Sequence, residues 1–265
     1  MKEGIYVRMY NEWTITIPEL TGEEERRAYV YLPKESEYDP DRRFPVLYMF
    51  DGQNLFYDAD ASYGKCWGIL DYFEEYEVPL IVAAIECNHH SEKDPCGGRL
   101  SEYSPFDFDD RYWGSITGRG KVTMDYFVNE FKPFIDSHYP TLPDREHTFI
   151  SGSSMGGLMT VYALMEYNGV FSRGAALSPS FGFSPRKVRE MIDSAEIGRT
   201  VLYMDNGSQE MSSERAKKVY ADATAQLMRK GVLVDSRVVP DGFHSEASWE
   251  RSIPFFLETL FFGLE

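Results

Sequence analysis

The chain has 265 residues, 43% hydrophobic and 26% charged, an ordinary globular composition. At that length folding buries roughly three quarters of the surface the unfolded chain exposes, so no metal or disulfide is needed for a core. Forty-three acidic against 27 basic residues give a formal charge of −16, and no Lys/Arg run offsets it, which excludes a nucleic-acid partner.

Residues 6–18 alternate as an edge strand does. Residues 27–32 form a second strand ended by Pro33, and a turn at 38–41 precedes a third at 45–50. Short turns between them predict an antiparallel start to the sheet. From Pro79 the pattern changes: residues 79–85 are continuously apolar, as in a strand covered on both faces. Similar runs recur at 148–151, 174–178, 200–204 and 232–239, separated by amphipathic stretches at 122–138, 157–167, 212–230 and 249–262. This alternation predicts βαβ crossovers and one α/β domain over 1–265 with a mostly parallel, doubly wound sheet. Residues 86–113 fit no period; a long aromatic loop after a strand, at the carboxyl edge of the sheet, reads as one wall of a substrate pocket.

The chemistry centres on Gly152-Ser153-Ser154-Met155-Gly156, a G-x-S-x-G pattern between the strand ending at 151 and the helix opening at 157. A strand-to-helix turn this tight leaves no room for side chains at its flanks, hence the glycines, and it lifts Ser154 above the sheet as a nucleophile. A serine hydroxyl needs a base. Of the five histidines, His244 lies just past the final strand, where such a base belongs. The acid that orients it should follow the strand at 200–204, and Asp205, Glu210 and Glu214 all qualify by position. Two backbone N–H groups should face the oxyanion, each worth about 3 kcal/mol of barrier. Met155 offers one, and Gln53, in the turn Asp51-Gly52-Gln53-Asn54, offers the other. Trp67, Arg99, Tyr103 and Trp113 are the candidate substrate contacts, since flat aromatic faces suit sugars and aryl rings and a cation offsets the acidic field.

Three cysteines, Cys66, Cys87 and Cys96, are too few and too odd for a disulfide framework. The residues at 1–5 contain no apolar signal region, and no stretch approaches the roughly 18 apolar residues of a membrane span, so the expected location is cytoplasmic. His89 and His90 lie between Cys87 and Cys96 without zinc spacing, and neither metal nor cofactor is expected.

Residues 45–56, Glu102-Tyr103-Ser104-Pro105, the serine turn and Gly242-Phe243-His244 together resemble the "Putative esterase" family of α/β-hydrolases. That family includes esterase D, enterochelin esterases, feruloyl and acetylxylan esterases and mycolyltransferases. The resemblance covers nearly the whole chain. It implies an α/β-hydrolase fold, Ser154 as nucleophile, His244 as base and Gln53 as an oxyanion donor. It also implies Glu210 as the third member, because Gly207-Ser208-Gln209-Glu210 matches the family's spacing, with Glu where Asp is more usual. The expected activity is hydrolysis of a small-molecule or oligosaccharide ester, foremost feruloyl or acetyl esters of carbohydrates. A siderophore trilactone and acyl transfer to another alcohol are the alternatives.

Overall fold

The computed structural model describes residues 9–88 and 98–264. The N-terminal part runs β1 (Tyr10–Thr16), α1 (Pro18–Thr21), β2 (Glu25–Tyr31), α2 (Glu35–Tyr38), β3 (Val46–Met49), α3 (Ile69–Tyr76) and β4 (Ile81–Ile85). Then come α4 (Arg99–Glu102), a hairpin of β5 (Phe108–Asp110) and β6 (Gly114–Ile116), α5 (Gly120–Tyr126) and α6 (Lys132–His138). The C-terminal half is β7 (Thr148–Ser153), α7 (Met155–Glu166), β8 (Arg173–Leu177), α8 (Pro185–Ser194), β9 (Val201–Gly207), α9 (Glu214–Lys230), β10 (Leu233–Val239), α10 (Glu246–Glu250) and α11 (Ile253–Phe261).

Eight strands form one sheet in the order β1-β2-β4-β3-β7-β8-β9-β10. From β4 to β10 every neighbouring pair is parallel, and β2 alone runs against the rest, antiparallel to both β1 and β4. The antiparallel start is therefore confined to β1 and β2. β3 does not pair with β2, because the crossover through α3 inserts β4 between them.

Strand periodicity divides the core in two. Val46, Tyr48, Ile81, Ala83, Ile150 and Leu202 pack on one side with the apolar stripes of α5 to α9, such as Val188, Met191 and Ile192. Their sequence neighbours Leu47, Met49, Val82, Ala84, Phe149 and Tyr203 pack on the other with Ile69 and Phe73 of α3 and Ile253, Phe256 and Leu260 of α11. Burial on both faces explains why the central parallel strands read as largely apolar runs, whereas β10, at the sheet edge, carries Asp235 and Arg237.

Proline accounts for two departures from the predicted helices. The stretch at 122–138 is helical but widens to a π turn at Phe127–Phe131, ahead of Pro133, which has no N–H to continue the α ladder. The stretch at 249–262 is split, with α11 starting afresh around Pro254. The described part of 86–113 is not wholly irregular, since it contains α4, β5 and the turn into β6. No described helix is long and apolar enough to cross a membrane.

Candidate active site

β7 ends at Ser153 and α7 begins at Met155, leaving Ser154 alone at the bend with φ 59° and ψ −118°. A non-glycine residue at positive φ is strained and persists only where its surroundings hold it. Here the Ser154 N–H donates to Leu177 O at 2.9 Å, and the Ser180 N–H donates to Ser154 O at 3.0 Å. A Cβ on Gly152 would lie 2.8 Å from the Gly156 carbonyl carbon, so the turn closes only with glycine there. Ser153 is buried in the core. The Ser154 Oγ lies 3.3 Å from Ser180 Oγ. Met155 is the first residue of α7, where helix geometry leaves an N–H without an intrahelical partner.

His244 and Glu210 meet because their loops touch at two glycines. A Cβ on Gly242 would lie 2.9 Å from Gly207 Cα, and the Gln209 N–H donates to Gly242 O at 3.0 Å. This contact places Glu210 Oε2 2.5 Å from His244 Nδ1. Glu210 Oε1 accepts from Ser178 Oγ at 2.6 Å and from the Gly207 N–H at 2.9 Å. Partial burial pushes the Glu210 carboxyl up, but the hydrogen bonds from His244, Ser178 and Gly207 outweigh it and hold it below the usual carboxylate range. The imidazole packs edge-on against Trp249, ring centroids 5.2 Å apart, and its side chain is 45% exposed. It makes no hydrogen bond to Ser154.

Asp205, at the same strand end, faces the other way. Its carboxylate accepts from Tyr203 Oη at 3.0 Å and Ser252 Oγ at 2.6 Å, and burial raises its pKa to about 6. Glu214 opens α9 and pairs with Lys217 at the surface. Of the three carboxylates in contention, only Glu210 touches the imidazole.

The turn carrying Gln53 is braced beneath the serine. Asp51 sits at φ 58°, and its carboxylate accepts two hydrogen bonds of 2.6 Å from the Arg99 guanidinium, a bidentate pair. Arg99 Nη2 also reaches Ser153 O at 3.4 Å, and the Asp51 N–H donates to Tyr103 Oη at 3.1 Å. The Gln53 side chain is fixed by Cys87, whose N–H donates to Oε1 and whose Sγ accepts from Nε2, each at 3.2 Å. This leaves the Gln53 backbone at the start of a single 3₁₀ turn, Gly52–Asn54. Among the described residues, five non-glycines have positive φ, and Asp51, Ser154, Ser178 and Asp241 lie just past the carboxyl ends of β3, β7, β8 and β10.

A cleft of about 420 Å³ opens beside this network, with Ser180 and Glu210 in its wall. Phe181, Phe183, Met211 and Val219 supply apolar lining, and Asp110 of the hairpin closes one side. Ser154 and His244 are each one contact removed from that wall. None of the four candidate substrate contacts lines it. Trp67 is 2% exposed and packs on Trp249 at 5.8 Å. Tyr103 is 1% exposed beneath the Arg99 guanidinium, and Arg99 is engaged with Asp51. Trp113 is 48% exposed on the β5–β6 turn. Aromatic content near a loop in sequence does not distinguish a pocket wall from core, and here most of it is core. Sequence reasoning missed Ser178, Ser180 and Trp249, because a serine after a strand and an aromatic on a helix carry no motif. Among the described residues no His/Cys/Asp/Glu group could hold a metal ion; His89, His90 and Cys96 lie outside them.

The sheet order, the serine turn and the contact between the loops after β9 and β10 are those of the α/β-hydrolase fold. The "Putative esterase" family model matches residues 20–258. The chain belongs to that family, whose class is carboxylic ester hydrolase. It is similar to the uncharacterized protein YbbA of Bacillus subtilis (strain 168), 25% identical over 189 residues, covering 70% of this chain and 69% of that protein. Among solved structures it is similar to the siderophore hydrolase EstA from Aspergillus nidulans, with a TM-score of 0.71, 17% identity and 98% of each chain covered. It is also similar to a ferulic acid esterase, with a TM-score of 0.65, 19% identity, and 95% of this chain and 96% of that one covered.

Proposed function

We propose that the protein hydrolyses a neutral carboxylic ester through an acyl-enzyme on Ser154. An incoming ester draws the Ser154 hydroxyl from Ser180 toward His244 Nε2. The oxygen attacks the carbonyl carbon while the imidazole takes its proton. Glu210, on Nδ1, fixes the tautomer that leaves Nε2 able to accept and stabilises the imidazolium. The N–H groups of Gln53 and Met155 receive the oxyanion. As the tetrahedral intermediate collapses, the imidazolium gives its proton to the departing alcohol. Water, deprotonated by the same histidine, then releases the acid and restores Ser154.

The observation that carries this reading is Ser154 itself, held at φ 59° between the middle of the sheet and the N-terminus of a buried helix. Strain of that kind is kept where a side chain must be presented. A fluorophosphonate probe should label the protein one to one, and Ser154→Ala should abolish labelling. Label persisting on another serine overturns the assignment.

The substrate reading is an acyl ester of a carbohydrate, feruloyl or acetyl. The apolar and aromatic lining of the cleft supports an aryl group, and Arg215 is the lone cation among its described lining residues, beside the carboxylates Asp110 and Glu210. A strongly anionic iron–siderophore complex meets net negative charge there. Turnover of methyl ferulate or acetylated xylo-oligosaccharide tests this. Hydrolysis of a catechol trilactone alone overturns the substrate half, and a new ester formed with excess alcohol identifies acyl transfer.

A further inference from the structure

Ser178 follows β8 directly, is 3% exposed and has φ 45°. Its N–H donates to Asp205 O at 2.9 Å, which holds the strained turn in place. Its hydroxyl donates to Glu210 Oε1 at 2.6 Å and accepts from Trp249 Nε1 at 3.0 Å. The polarity of this chain is fixed at both ends. An indole N–H can only donate and a carboxylate can only accept, so the Ser178 hydrogen points at Glu210. The Gly207 N–H is a second donor to the same oxygen. With Oε1 held twice, Oε2 has one direction left, toward His244 Nδ1.

A glutamate in this role has one more rotatable bond than an aspartate, and an unheld carboxylate would spread over several rotamers. Trp249 also packs its ring nearly at right angles to His244, so one buried indole bears on both partners of the 2.5 Å contact. A buried hydrogen-bond chain of this kind is stronger than its links taken singly.

We infer that Ser178 and Trp249 are positioning residues for the reaction, an indole-to-hydroxyl relay that aims the Glu210 carboxylate at the imidazole. The inference rests on the triad reading above. In Ser178→Ala, kcat for p-nitrophenyl acetate falls about 10- to 100-fold, the range of a hydrogen bond to a charged group, with KM within about twofold. Ser178→Gly adopts the left-handed turn without strain and shows the same loss, which separates the hydroxyl from folding. Trp249→Phe keeps a ring against His244 and loses about 3- to 10-fold.

The deciding measurement is a double-mutant cycle. In a Glu210→Gln background, Ser178→Ala costs less than about twofold more, because the group it aims then presents an NH₂ and not a carboxylate oxygen to His244 Nδ1. Losses that multiply in the double mutant overturn the relay and leave Ser178 a structural residue. Ser178→Ala and Ser178→Gly at parental kcat, beside a crippled Glu210→Gln, overturn the relay and leave the triad. Glu210→Gln at parental activity overturns both.

Discussion

Replacing Glu210 with glutamine keeps size and shape while removing one charge and one acceptor, so its effect can be worked from the contacts. Ser178 Oγ and the Gly207 N–H both donate to Oε1. The amide oxygen of the Glu210→Gln variant must therefore take that side, which turns the NH₂ group toward His244 Nδ1. Nδ1 then has to accept, the ring proton moves to Nε2, and the nitrogen that the proposed mechanism assigns to the Ser154 proton can no longer take it. The direct loss is a charge-assisted hydrogen bond at 2.5 Å, about 1.5–3 kcal/mol. The wrong tautomer adds a cost of similar size, about 4–5 kcal/mol in all, or roughly a thousandfold or more in kcat. Folding changes less. Glu210 has its pKa lowered, so its stabilising contribution is present above the unfolded carboxyl pKa and is lost as pH falls through the lower folded value. The assay is kcat and KM for p-nitrophenyl acetate at neutral pH, with melting temperature as a control. A loss of less than about tenfold, or an equal loss in Asp205→Asn, refutes the reasoning.

Asp205 gives the opposite pH signature. Burial raises its folded pKa to about 6, above the ordinary aspartate value of 3.8, so ionising it in the folded state costs stability. The cost is full above pH 6 and absent below the unfolded pKa, and about two pK units correspond to about 3 kcal/mol. Asp205→Asn should therefore raise the melting temperature relative to the parent more at pH 8 than at pH 4.5, with kcat within about threefold; a pH-independent difference counts against a buried charge. Gly242→Ala should cut activity by about 100-fold, because its Cβ would lie 2.9 Å from Gly207 Cα and part the His244 and Glu210 loops. Methyl acetate and methyl ferulate should lose equally, and full activity would show that the loops can separate harmlessly. Arg99→Met should destabilise the fold by about 3 kcal/mol, since it strands the buried Asp51 carboxylate; denaturant melts showing less than about 1 kcal/mol would mean Asp51 finds water. Phe183→Ala should raise KM for an aryl ester about tenfold and leave an acetyl ester unchanged, and equal effects on both would place the aryl group outside the cleft.

The sheet was readable from sequence where burial on both faces left its mark. Residues 79–85, 148–151 and 200–204 carry no charged side chain because helices cover both sides, and each proved to be a central parallel strand. The place of β4 between β2 and β3 was not readable, because strand order depends on where a crossover lands and not on local pattern. The serine turn stood out because its glycines answer a steric demand of the turn itself. Position alone left Asp205, Glu210 and Glu214 open, since which of two loop carboxylates turns toward an imidazole depends on long-range contacts. The decisive contact here is the approach of Gly207 to Gly242. Trp67 and Tyr103 illustrate the converse. An aromatic residue near the pocket in sequence is most cheaply placed inside the core, and the turn carrying Gln53 uses Tyr103 as a prop. Ser178 had no signal at all, because its importance lies in a backbone angle and two partners 32 and 71 residues away.

The four left-handed bends at the strand ends have one further consequence. Ser154 and Ser178 hold theirs through hydrogen bonds to neighbouring strands, Ser154 N–H to Leu177 O and Ser178 N–H to Asp205 O, so both depend on those strands being paired. Asp51 and Asp241 lie far apart in sequence, so the turns around the proposed site come together only once strands from both halves of the chain are paired. On the proposed mechanism, turnover therefore reports a paired sheet.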